Sequence, residues 1–165
     1  MTRVARRSLA VMAAAFLIAP AGAQMQDEGA RKPPYWVSIA TSKARTRTGP
    51  GRNYPAIWLY QRTDLPVRVV ETFPSWRKIE DPDGAQGWVM VNLLSDRRTG
   101  MIVGGRQLLR KNPGTGERVV WEVEPGVVGR ISKCTTGWCR FDAGGKAGFV
   151  EMRYLWGVSP GEVVE

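Results

Sequence analysis

Arg47-Thr48-Gly49-Pro50-Gly51, followed by Trp58, recurs as Arg110-Lys111-Asn112-Pro113-Gly114, followed by Trp121. The correspondence extends outward from this stretch in both directions. Val69 falls on Ile131, Ser75-Trp76 on Gly137-Trp138, and Ile79 on Phe141. Gly87-Trp88-Val89 falls on Gly148-Phe149-Val150, and Leu94 on Leu155. One or two such matches are within reach of chance, but a collinear series with slips only at turns is the mark of a duplication. Two copies are too few for a solenoid. They specify two similar domains, here over 35–95 and 100–158, with a linker at 96–99 and a C-terminal tail at 159–165.

Within each copy the pattern is short apolar–polar alternation cut by Gly, Pro, Asn and Asp, without helical periodicity. That reads as an all-β chain of small barrels or sandwiches. Ala44 and Thr46 should face inward and Arg45 and Arg47 outward, because successive strand residues point to opposite faces. Ala56, Trp58 and Tyr60 share a face, as do Val119, Trp121 and Val123, and that face is expected in the core or between barrels. Glu122 and Glu124 mark the wet side. Val67 and Val69 flank Arg68 in a half-buried strand. Phe73-Pro74-Ser75 and Thr135-Thr136-Gly137 close hairpins. Ile79 and Phe141 are core positions, which puts Trp76 and Trp138, three residues earlier, on the outer face. A domain of this size buries only about 60% of its unfolded surface, so the two are expected to pack on each other through Trp faces.

The start of the chain sets the compartment. Arg3, Arg6 and Arg7 precede an uncharged apolar run from Ser8 to Ala19, and Pro20 and Ala21-Gly22-Ala23 follow. This is the pattern of a cleavable signal peptide over 1–23, cut between Ala23 and Gln24. The run is too short to span a bilayer, so the mature form has no transmembrane segment. A flexible leader over 24–34 comes next. Cys134 and Cys139 are the only cysteines. Two thiols this close, in an oxidising compartment and flanking a hairpin turn, are expected to form a disulfide.

Composition narrows the function. The sequence has no histidine and a net charge of +9. It remains basic after the three signal-peptide arginines are removed. Lack of histidine removes the commonest general base and metal ligand. With both thiols oxidised, neither cysteine-peptidase nor zinc chemistry has its parts. Asp81, Asp83 and Asp142 fall in turn-like segments and read as turn formers. No catalytic residue, metal or cofactor is therefore assigned. Export argues against nucleic acid as the target of the positive charge and points to envelope polyanions.

Arg47-Thr48-Gly49-Pro50-Gly51-Arg52-Asn53-Tyr54-Pro55, Trp76-Arg77-Lys78-Ile79 and Gly87-Trp88-Val89 resemble the motifs of the exported bacterial SH3-like (SH3b-type) domain family in its tandem form. Gly137-Trp138-Cys139-Arg140 and Tyr154-Leu155-Trp156-Gly157-Val158 continue the resemblance in the second copy. It implies two tandem SH3-like barrels, each five-stranded and partly open, with no catalysis of their own. It also implies a ligand groove lined by one aromatic opening the strand after the hairpin and another just after the last turn. By position the first is Trp76 or Trp138. The second is Tyr154, with Leu93 in its place in the first copy. Arg45, Arg47 and Arg140 are the candidate carboxylate partners. The expected role is a periplasmic or secreted binding protein for peptidoglycan or its stem peptides. The alternatives are a docking subunit on another envelope protein and, last, a hydrolase.

Overall fold

The computed structural model describes residues 31–165, so the signal peptide, its cut at Ala23–Gln24 and most of the leader lie outside the described residues. The first domain runs β1 (Tyr35–Ile39), β2 (Ala44–Arg47), β3 (Ala56–Tyr60), β4 (Pro66–Phe73), β5 (Trp76–Glu80), β6 (Gln86–Met90), a one-turn 3-10 helix (Val91–Leu93) and β7 (Leu94–Ser95). The second repeats it as β8 (Thr99–Ile102), β9 (Gln107–Arg110), β10 (Val119–Val123), β11 (Val128–Thr135), β12 (Trp138–Ala143), β13 (Lys146–Glu151), a 3-10 turn (Met152–Tyr154) and β14 (Leu155–Trp156).

Each domain is one antiparallel sheet of seven strands. The orders, β3-β2-β6-β5-β4-β1-β7 and β10-β9-β13-β12-β11-β8-β14, are superimposable. The five strands expected for each barrel are all there. The two added in each copy, β1 and β7 or β8 and β14, are short pieces that pair with each other beyond the central hairpins. β8 begins at Thr99, so the connection between the sheets shortens to three residues.

Burial follows the alternation. Ala44, Thr46, Val67, Val69, Ile79 and Phe141 are all buried, while Arg45 is exposed. The sheet curls onto itself where β2 crosses β6 and β9 crosses β13, and each of these ladders holds at a single pair, Arg47 with Trp88 and Arg110 with Phe149. Glycine makes this crossing possible. A Cβ on Gly87 would sit 2.8 Å from Thr46 Cβ, and one on Gly148 would sit 2.8 Å from Leu109 Cβ and 3.0 Å from the Arg110 carbonyl. This close approach is why the Gly-aromatic-Val motif recurs in both copies.

One expectation fails at the same place in both copies. Trp58 and Trp121, expected in the core or between barrels, are 59% and 43% exposed. β3 and β10 are the outermost strands of their sheets, and each carries a bulge, opposite Thr46/Arg47 and between Val119 and Trp121. The extra residue bends the strand away from the barrel, and only its far end, Tyr60 or Val123, is buried.

The barrels do pack through tryptophans, but through Trp36 and Trp156. Their rings meet edge to face with centroids 4.9 Å apart. The indole N–H of Trp36 donates to Ser159 Oγ and that of Trp156 to the Pro66 carbonyl, both at 3.0 Å. The Arg68 guanidinium lies 6.0 Å from one ring centroid and 5.7 Å from the other. Beside them the buried hydroxyls of Ser38 and Thr99 stand 2.7 Å apart.

The disulfide is present, with Cα atoms 4.1 Å apart at paired positions of β11 and β12. That separation is the non-hydrogen-bonded kind of antiparallel pair, so the backbone groups of Cys134 face the other way. There Val164 takes both: Cys134 N–H donates to the Val164 carbonyl at 2.9 Å, and Val164 N–H donates to the Cys134 carbonyl at 3.2 Å. Closing so short a loop is worth about 2 kcal/mol in the chain-entropy account. Replacing both cysteines by alanine should lower the unfolding free energy measured in urea titrations by that amount.

Candidate functional site

The outer face of each sheet carries the same row of side chains. In the first domain Arg47, Trp88 and Lys78 are register neighbours across β2, β6 and β5. In the second they are Arg110, Phe149 and Arg140 across β9, β13 and β12. Two cations flank an aromatic in both. The guanidinium at the head of the row also secures the loop that follows it. Arg47 Nη1 donates to the Tyr54 carbonyl at 2.7 Å, and Arg110 Nη1 to the Glu117 carbonyl at 2.6 Å. That bond is the local reason for an arginine before the Gly-Pro turn, since it satisfies a loop carbonyl outside the ladder.

Trp138 and Arg140 project from the same face of β12. Past the single Arg110–Phe149 pair, the start of β9 separates from the end of β13 and opens a cavity of about 220 Å³. Trp138 and Tyr154 line one side, and Arg106, Leu108 and Arg110 line the other. Gln107, Glu151 and Val150, itself buried, complete the lining. Further cations stand at the edges. Arg153 lies 5.1 Å from the Tyr154 ring centroid and pairs with Glu151. Arg106 pairs with Glu124 at 2.6 Å and with Glu122 at 3.5 Å.

The first domain differs at the matching place. Trp76 lies on the outer face as its spacing requires, yet it is only 8% exposed. Its register neighbours are Phe73 and Met90, whereas those of Trp138 are Thr135 and Glu151. Two apolar neighbours flank one indole, while a short polar residue and a carboxylate leave the other partly exposed. Phe73 also meets Trp88 edge to face at 6.4 Å.

The six residues assigned from sequence therefore divide between two faces. Trp138 and Tyr154 converge on one cavity, and Arg140 stands on the face beside it. Arg45, Arg47 and Trp76 belong to the other domain. Sequence reasoning missed Arg106, Leu108, Arg110 and Phe149. The duplication held the signal for two of them, since Arg110 and Phe149 are the repeats of Arg47 and Trp88.

The acidic turn residues behave as turn formers. Asp81 Oδ1 accepts the N–H groups of Asp83 and Ala85 at 3.0 and 2.9 Å, and Asp142 Oδ1 accepts Gly145 N–H at 2.7 Å. Buried Asp81 also accepts the Tyr60 hydroxyl at 3.0 Å. Burial, then the Asp81 charge and this hydrogen bond, push the Tyr60 phenol well above its ordinary pKa. The folded state thus holds the Tyr60 proton more tightly than the unfolded chain does. The resulting stability is complete below about pH 10, the unfolded value, and is lost as the pH rises beyond it. In urea titrations, Tyr60→Phe should be less stable than the parent by about 1.5–3 kcal/mol at neutral pH. That gap should narrow above pH 10.

In the tail, burial acts to raise the pKa of Glu162, but the Arg98 hydrogen bond, the Ser159 N–H and the Arg98 charge outweigh it and hold the carboxyl below its usual range. Among the described residues no group of three His, Cys, Asp or Glu side chains is placed to hold a metal ion, and no helix is long and apolar enough to cross a membrane.

Among curated proteins none matches the chain. Solved structures similar to it include NlpC2 of Trichomonas vaginalis (13% identity, 77% of this chain and 49% of that one, TM-score 0.35). NlpC1 of the same organism is similar at 12% identity, over 76% of this chain and 46% of that one, with a TM-score of 0.34. A third is an NlpC/P60 family protein of Bacillus cereus, at 13% identity over 73% of this chain and 55% of that one, with a TM-score of 0.33. The chain spans about half the length of each of these proteins. The family profile described as "Bacterial SH3 domain" matches residues 40–96 and again residues 103–157. Each matched stretch takes in every strand of one sheet except its first, β1 or β8, and the chain belongs to the bacterial SH3 domain family, carrying that domain twice in tandem.

Proposed function

We propose that this is an exported, non-catalytic binding protein of the cell envelope whose second barrel grips peptidoglycan stem peptides in the Trp138–Tyr154 cavity. The observation that carries the reading is the convergence of two aromatic side chains and two guanidinium groups on one small cavity. Aromatic faces give contact area at low entropic cost, and guanidinium groups take carboxylates in bidentate fashion. Stem peptides offer both a thin peptide backbone and free carboxylates. The cavity is below the usual size of a small-molecule pocket, which suits a peptide side chain or terminus. The Cys134–Cys139 disulfide fits an oxidising compartment, and the positive charge suits the anionic wall.

The test is retention on purified sacculi. Retention should fall with added salt, and Trp138→Ala should weaken it about tenfold, the loss of one stacking contact. Salt-insensitive retention, or a Trp138→Ala variant that binds as the parent does, would sink the reading. Release of labelled fragments from muropeptides by the purified chain would show it to be a hydrolase instead.

A further inference from the structure

β3 leaves one flank of the first barrel without a strand beside it. It is the outermost strand of its sheet, and its sequence, Ala56-Ile57-Trp58-Leu59-Tyr60, holds no charge. Its first four residues are exposed, Ile57 and Leu59 at 47% and 38%. Every second residue of such a strand presents an unpaired N–H and C=O outward, which is a template for another strand. Folds normally blunt such an edge with charge.

The second barrel does so. By register, Glu122 stands where β3 has Leu59. Two residues on, Glu124 stands where the first copy has Gln61, and Arg106 where it has Lys43. Arg106 pairs with both glutamates, and the Lys146 ammonium lies 5.5 Å from the Trp121 ring centroid. In the first barrel both acids are missing. Arg45 stands beside Leu59 across the ladder, Lys43 precedes β2, Arg52 lies in the loop before β3 and Arg62 two residues after it, and these four take part in no ion pair among the described residues.

We infer that β3 is a docking edge that takes an extended segment of a protein partner as an added strand, with acidic and apolar side chains alternating along that segment. The added backbone satisfies the edge. Its apolar residues lie beside Trp58, and its carboxylates, on the opposite face beside Leu59 and Arg45, take the place that Glu122 and Glu124 hold in the other copy. Charge complementarity selects this occupant over a second copy of the chain, whose own β3 would arrive flanked by the same positive charges. The inference stands apart from the groove in the second barrel.

The probe is a short peptide of alternating valine and glutamate, with a valine–lysine peptide as its counterpart, added to the full mature chain. The glutamate peptide should bind about tenfold tighter than the lysine peptide. It should slow amide exchange within residues 57–60. Leu59→Glu, which copies the second barrel and so keeps the fold, should weaken binding about tenfold, and Trp138→Ala should leave it unchanged. Equal binding of the two peptides, unaltered exchange in β3 or full binding by Leu59→Glu would overturn the inference. Loss of binding in Trp138→Ala would assign the peptide to the groove. Dimerisation without peptide that Leu59→Glu abolishes would assign the edge to a second copy.

Discussion

Gly157→Ala should destabilise the protein by about 3 kcal/mol or more, with loss of the folded state at moderate temperature. Gly157 has φ +114°, a backbone conformation that side-chain-bearing residues rarely adopt. A methyl group there would sit 2.4 Å from the Thr99 carbonyl oxygen, 3.0 Å from Gly100 Cα and 3.1 Å from Pro66 Cβ. Thr99 and Gly100 open β8, and Pro66 opens β4 of the other barrel. Two of the obstacles are backbone and the third is a ring, so none can rotate aside. Gly84→Ala supplies the comparison. Its φ is +82° but nothing lies within 4 Å of the added methyl, so it carries the conformational penalty alone, about 1–2 kcal/mol. Equal denaturation midpoints for the two variants would show that the seam yields to the methyl group.

Trp156→Ala should cost about 3 kcal/mol, the lower end for a large aromatic because its side chain is only partly buried. It should also change the form of unfolding. Each barrel alone is of marginal size, and the seam is held by the Trp36–Trp156 contact, the Pro66 carbonyl and Arg68. With the seam intact, calorimetry should give one transition. Without Trp156 it should give two, the first barrel melting before its disulfide-closed neighbour. A single transition in the variant, coincident by fluorescence and circular dichroism, would show that the barrels are coupled some other way.

The repeat, the sheet class and the interior of each barrel were legible because strand alternation and turn residues act locally. Val67, Val69, Ile79 and Phe141 lie where period two puts them, and the cysteines lie opposite each other across their hairpin. Trp138 and Tyr154, assigned by the family resemblance to the two aromatic places of a groove, line one cavity. Failures came where a residue's surroundings are set by other strands. Trp58 and Trp121 follow the core alternation but sit beyond a bulge on an outermost strand, and no spacing rule reports a strand's place in the sheet order. Trp76 obeys its alternation and is still covered, because Phe73 and Met90 stand beside it. The seam was missed for the opposite reason. Trp36 aligns by register with Thr99, and Trp156 with Ser95, so both fall where the copies disagree. Two like barrels can lean on each other asymmetrically only through positions at which they differ, and those breaks in the repeat were the available signal.

The bond between Val164 and Cys134 bears on the order in which the protein can be finished. A polypeptide emerges amino end first, so the first sheet has every strand it needs once Ser95 is out. The second must wait. Until Val164 arrives, Cys134 has no partner on its outer side, and the indole of Trp36 lacks its acceptor until Ser159 appears. Both barrels are therefore latched by the same late segment: Val164 closes the second sheet beside Cys134, and Ser159 completes the seam that the early half presents through Trp36.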